Sequence, residues 1–234
     1  MNDTLRRTPS SYYREYGRSL TSRNDARTTD RVRAIVRLHP ARRGRLLCVG
    51  IGSGLEPNLY RQAGFEVTAI DISSEAVEQA RSDGFLSDVV DLDKEAPTGT
   101  FDTIACCEVL EHLFDPRGAL AGLASCLAPG GRLYVTLPNE FNALRRLAIL
   151  VGHNTIARYD HPHLRFFDGR EPGRLFRDAG LTIQQRRIIN ICPPRYRVLR
   201  PAGVVLGKLS PSLFSASSLI EATREENGKG RRGR

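Results

Sequence analysis

No run of about eighteen apolar residues occurs in this sequence, so it offers no segment long enough to cross a bilayer as a helix. Its first residues, MNDTLRRTPSSYYREYG, lack the apolar stretch of a signal peptide, and the expected location is cytoplasmic. Cysteine is sparse and forms no CxxC pair. Cys48, Cys106, Cys107 and Cys126 stand mostly in apolar strand or helix contexts, and together with Cys192 they read as free thiols, which argues against a disulfide framework or a zinc site. Internal repeats are also missing. Only the closing ENGKGRRGR is of low complexity, and residues 226–234 are expected to be a disordered basic tail.

What is present is enough for one substantial core: 234 residues, 40% of them hydrophobic. The net charge of +9 is unevenly distributed, with residues 1–45 carrying +8, residues 46–140 carrying −10 and residues 141–234 carrying +11. An acidic centre between basic flanks fits flanks that surround an anionic acceptor, and fits equally an ordinary solvated arginine-rich surface.

The most informative segment is RLLCVGIGSG, Arg45 to Gly54, followed by EVTAID ending at Asp71. A short apolar strand runs into glycines at 50, 52 and 54, and the next strand closes on a carboxylate. Glycine permits the tight turn and close approach of backbone to ligand, and the acid can accept hydrogen bonds from ribose hydroxyls. A dinucleotide fingerprint has the spacing GxGxxG. Here the spacing is GxGxG, and Leu55 stands where the third glycine is expected. A ligand with one ribose, one adenine and no phosphate needs only the turn and the acid. S-adenosylmethionine meets that description.

Further segments follow in order: Phe101-Asp102 at the entrance to a fourth strand, LEH at 110–112 after it, and CLAPGGRLYVTLPN as a helix end, a Pro-Gly-Gly turn and a fifth strand. With the glycine run and Asp71, this series resembles the class I S-adenosylmethionine-dependent methyltransferases over Arg45 to Asn139. The resemblance implies an α/β fold of three Rossmann-like layers, with a mostly parallel seven-stranded sheet, an antiparallel last strand and a small helical lid after strand five. It assigns Gly50, Gly52 and Gly54 to the methionine part of the cofactor, Asp71 to the ribose and Ile72 to the adenine. Asp91, with Asp88 as the alternative, is assigned to the adenine amino group, and Cys107 to the cofactor-lining end of strand four. One departure is Cys48, where the family often carries an acid. The implied division is an N-terminal helical cap over 1–44 and a methyltransferase domain over 45–225, with lid insertions near 140–180 and 192–216.

The stretch after strand five contains DHPHLRFF and a helix ending RDAGL, and is similar to a bacterial subgroup associated with small-molecule and glycan acceptors. The last strand is expected near Ser217 to Arg224. A sulfonium methyl is already activated, so transfer requires alignment and, for a hydroxyl, removal of its proton. Histidine suits that task. His112 in LEH and His163 in HLRFF are the catalytic candidates, although each also fits a loop-ordering role. His161, His163 and Asp160 share one turn, a weak metal pattern, and no metal is expected. Tyr12, Tyr13 and Tyr16 have helical spacing and are expected to close over the cofactor or to pack on the domain. The favoured function is methylation of a small-molecule or glycan-type hydroxyl. The alternatives are an RNA methyltransferase, allowed by the basic flanks, and an NAD-dependent oxidoreductase, which shares the strand, loop and acid.

Overall fold

Alternation along Arg45–Val49 (β1) sets the layers: Leu46 and Cys48 bury into one apolar cluster, while Leu47 and Val49 bury into another. The computed structural model describes residues 25–39, 44–153, 162–167, 171–189, 205–206 and 210–225. Ahead of β1 lies helix Asp25–Leu38 (α1). The chain then continues through Leu55–Gln62 (α2), Glu66–Asp71 (β2), Ser74–Ser82 (α3), Leu86–Val89 (β3) and Phe101–Cys107 (β4). A 3₁₀ turn at Leu110–His112 leads to Pro116–Ser125 (α4), Leu127–Pro138 (β5), Ala143–Leu150 (α5) and Glu171–Asp178 (α6). Leu181–Ile189 (β6), the short Pro211–Phe214 (α7) and Ser217–Arg224 (β7) complete the described elements.

The sheet has seven strands in the order β3-β2-β1-β4-β5-β7-β6. β1 to β5 pair in parallel, and β7 is antiparallel to both β5 and β6. This is the expected α/β architecture, and β7 has the bounds read from the sequence. Because β1 lies between β2 and β4, the strand order reverses there, opening a crevice beyond the carboxyl ends of β1 and β4.

Local chemistry fixes the helix starts. The Ser73 hydroxyl accepts from Ala76 N at 3.3 Å to cap α3, and Asp115 accepts from Gly118 N at 2.9 Å to cap α4, whose first residue is Pro116. The Pro-Gly-Gly segment is absorbed into β5 as a bulge: Phe101 pairs with Leu127 and Thr103 with Arg132, so two steps on β4 face five on β5.

Val32 and Ile35 of α1 are buried with Tyr60 and Val77 on one face of the sheet, while Leu120, Leu123 and Phe176 fill the other. Phe176 makes α6 part of the packed layer, although the sequence placed it in a lid region; α5, in the same region, has no buried residue. Residues 1–24, with Tyr12, Tyr13 and Tyr16, lie outside the described residues, as do Asp160, His161, Cys192 and the 226–234 tail. Among the described residues, no helix is long and apolar enough to cross a membrane.

Candidate active site

β1 delivers the glycine loop to the crevice. Gly50, Gly52 and Gly54 have φ of 86°, 52° and 79°, the left-handed region that side chains with a Cβ rarely adopt. A Cβ on Gly50 would lie 2.9 Å from Val109 Cγ2, so that glycine allows the β4 loop to pack over the strand end. Above Gly52, nothing lies within 4 Å of the Cβ position, leaving the backbone open to a ligand.

Asp71, at the tip of β2, holds this loop. Its Oδ2 accepts from Ile51 N at 2.7 Å and from Gly52 N at 3.4 Å, and its Oδ1 accepts from Ser73 N at 2.9 Å. Ile72 is half-buried beside it. Asp91 is half-buried, bonded to Lys94 Nζ at 2.7 Å and to Asp93 N at 3.1 Å. Asp88 instead points to Arg81 at 3.3 Å in a largely exposed pair. Open positive-φ glycines beside a carboxylate fit an adenosyl ligand. Gly50, Gly52, Gly54, Asp71, Ile72 and Asp91 are the residues that would hold it.

Beneath the loop lies an ion pair that sequence reasoning missed. Arg31 of α1 donates to Glu56 Oε2 at 2.7 Å, both side chains being almost fully buried. Tyr60 Oη donates to Glu56 Oε1 at 3.2 Å, and the Cys107 thiol is buried in the same cluster as Tyr60. Burial would push the Arg31 guanidinium down, and the Glu56 carboxylate more than offsets this. The Cys107 side chain is buried in the core, leaving its main chain as the part available to a cofactor. Burial pushes the thiols of Cys48, Cys106 and Cys107 up, so they are inert.

Past β4, Glu108 adopts φ 55°, the one positive φ among the described residues other than glycine. Thr136 pins it: Glu108 N donates to Thr136 Oγ1 at 3.1 Å, and Thr136 Oγ1 donates to Glu108 Oε1 at 3.0 Å. The 3₁₀ turn then receives the HLRFF segment. Leu164 N and Arg165 N donate to Glu111 O at 2.8 and 3.0 Å, and His112 Nδ1 donates to Pro162 O at 3.0 Å. The two histidine candidates are thus brought together, with ring centroids 5.0 Å apart.

His163 Nδ1 lies 2.7 Å from Glu140 Oε1, and Glu140, fully buried, also pairs with Arg145 of α5. Glu140 was not singled out in the sequence, because nothing local to LPNE marks a carboxylate that acts on a residue 23 positions later. Glu111 is fully buried, and its carboxyl has no hydrogen-bond partner among the described residues. Burial pushes that carboxyl well above the ordinary range, and Glu108 and Glu140 add to the effect. Glu111, His112 and His163 offer ligand atoms within 4.8 Å of one another where the sequence suggested no metal. Burial, which raises this carboxyl, disfavours the charged form that a cation would need.

A family model described as a methyltransferase domain matches residues 20–186. The chain is similar to a ubiquinone biosynthesis O-methyltransferase of Xanthomonas euvesicatoria pv. vesicatoria, with 37% identity over 153 residues, covering 60% of this chain and 63% of the relative. A protein of the same description from Xanthomonas axonopodis pv. citri is 37% identical over 161 residues, covering 63% of this chain and 66% of the relative. The chain thus spans just under two thirds of these relatives. Among solved structures, a SAM-dependent methyltransferase from Archaeoglobus fulgidus superposes with TM-score 0.64 at 17% identity, covering 91% of this chain and 100% of the other. Magnesium protoporphyrin IX methyltransferase from Synechocystis PCC 6803 with bound SAH gives 0.60 at 19%, covering 86% and 84%. These two likenesses concern the fold.

Proposed function

We propose, for a chain that belongs to the class I S-adenosylmethionine-dependent methyltransferases, that it methylates a hydroxyl oxygen of a small-molecule acceptor. The observation that carries this reading is the buried Glu140–His163 pair beside the LEH turn. A carboxylate 2.7 Å from Nδ1 orients the imidazole and leaves Nε2 to take a proton. His112 is assigned a positioning role, because its Nδ1 holds Pro162 O and so sets the entry to His163.

S-adenosylmethionine supplies an activated sulfonium methyl. The chain's residues then have three tasks. Asp71 and the glycine loop bind the adenosyl end, the strained Glu108 backbone orders the crevice floor, and His163 removes the acceptor's proton as its oxygen attacks. The exposed rings of Phe114 and Phe166 and the exposed Leu164 give the entrance an apolar rim, which suits an acceptor with an apolar body. The similarity to ubiquinone biosynthesis O-methyltransferases supports the choice of oxygen.

The reading is tested with paired acceptors that differ only in hydroxyl or amine. Hydroxyl methylation that depends on His163 is expected. Methylation of the amine with no effect of His163→Gln would exclude proton removal by this histidine.

A further inference from the structure

Asp93 connects the segment after β3 to the loop after β4. Asp71 O accepts from Val90 N at 3.0 Å, which ties the first of these to the ribose acid, and Asp91 Oδ1 accepts from Asp93 N at 3.1 Å. Leu92, between the two acids, packs with Val109 and Leu113 against the core. In the second segment the 3₁₀ turn closes as Leu113 N donates to Leu110 O at 3.3 Å, so the next two N–H groups lie beyond it and need another acceptor. The Asp93 carboxylate supplies it. Its Oδ2 accepts from Phe114 N at 3.2 Å and its Oδ1 from Asp115 N at 2.9 Å, across 21 and 22 residues of sequence.

The HLRFF segment hangs on the same loop. Arg165 Nη2 donates to Phe114 O, and Leu164 N and Arg165 N donate to Glu111 O at 2.8 and 3.0 Å. Residues 162–167, which include His163, therefore dock on the loop that Asp93 clamps to the Asp91 segment. A carboxylate that accepts main-chain N–H groups makes charge-assisted bonds, about twice as strong as neutral ones. These bonds are nevertheless exposed, and exposed ties are the first to open in a folded protein. A ligand that steadies the Asp91 segment steadies what is clamped to it.

Resting on the adenosyl site proposed at Asp71 and Asp91, we infer that Asp93 is a positioning residue for methyl transfer. It passes cofactor occupancy to the main chain of Leu164 and Arg165, so the segment carrying His163 is held firmly only when the cofactor is bound.

The experiment is amide hydrogen exchange of the full chain with and without saturating S-adenosylhomocysteine, which requires no acceptor. The Leu164 and Arg165 amides report the tie directly, because both donate to Glu111 O. The ligand should slow their exchange roughly tenfold in the wild type, and the slowing should vanish in Asp93→Ala. Asp93→Asn, which keeps one acceptor oxygen, should retain part of it. S-adenosylhomocysteine affinity should be equal in the wild type and both variants, showing that they are folded. A purely structural Asp93 would speed exchange by the same factor with and without ligand, leaving the slowing intact, and that result would overturn the inference. So would protection confined to the glycine loop in the wild type. Failure of S-adenosylhomocysteine to bind at all would contradict the cofactor site itself, and the positioning role with it.

Discussion

Glu140 and His163 are 23 residues apart in sequence and 2.7 Å apart in space, one fully buried and the other nearly so. Their meeting depends on two separate anchors. β5 carries Glu140 to the end of the sheet, and the main chain of Leu164 and Arg165 ties the second segment to Glu111 O. Proton removal of the kind proposed for His163 contributes about 10²- to 10⁴-fold. Glu140→Gln and His163→Gln should each lower single-turnover methyl transfer within that range while S-adenosylmethionine affinity stays within about twofold. Rapid-quench kinetics with equilibrium binding would show this, and equal losses in rate and cofactor affinity would point to a collapsed site.

Glu111 should make stability depend on pH. Its folded pKa is raised by burial, so its stabilising contribution is fully present below the unfolded value of about 4.3 and is lost as pH rises through the folded value. Across that window the folded state binds a proton that the unfolded state has released, and stability falls by about 1.4 kcal/mol per pH unit. Glu111→Gln keeps the neutral shape without the proton. Urea unfolding from pH 4 upward should show the variant gaining on the wild type as pH rises, with the smallest difference at the acid end. A pH-independent offset would mean that Glu111 is charged in the fold.

Gly50→Ala should be damaging on two counts, positive φ and contact with Val109. The backbone contribution alone is about 1–2 kcal/mol. Thermal unfolding should report that loss, and cofactor affinity should fall with it. Gly52→Ala shares the strain but meets no protein atom, so it should affect binding more than its neighbours' packing.

Removing Arg31 leaves Glu56 buried and unpaired. Arg31→Met should cost about 3–5 kcal/mol, and the double variant with Glu56→Leu should recover most of it. Chemical denaturation of the single and double variants measures the coupling.

Local signals were legible and distant ones were not. The glycine loop, Asp71 and the bounds of β7 depend on residues adjacent in sequence, and they appear in the structure where the sequence put them. Residue type singles out His112 and His163, but their edge-to-face contact requires the docking of two segments 50 residues apart. Arg31 was unreadable because its partner is set by how α1 crosses α2, and arginine in an arginine-rich flank gives no signal of burial. The Pro-Gly-Gly turn was recognised from its residues. Its absorption into β5 is a matter of strand register, which only the pairing with β4 reveals.

The most direct test is a calorimetric titration of the purified chain and of Asp71→Ala with S-adenosylmethionine, with NAD as the comparison ligand. Saturable binding of the sulfonium cofactor is expected, along with no NAD binding. The variant should bind roughly 10- to 150-fold more weakly, because losing a charged acceptor costs about 1.5–3 kcal/mol. Tight NAD binding with no response to S-adenosylmethionine, or unchanged affinity in Asp71→Ala, is incompatible with the cofactor site described for Gly50, Gly52, Gly54 and Asp71.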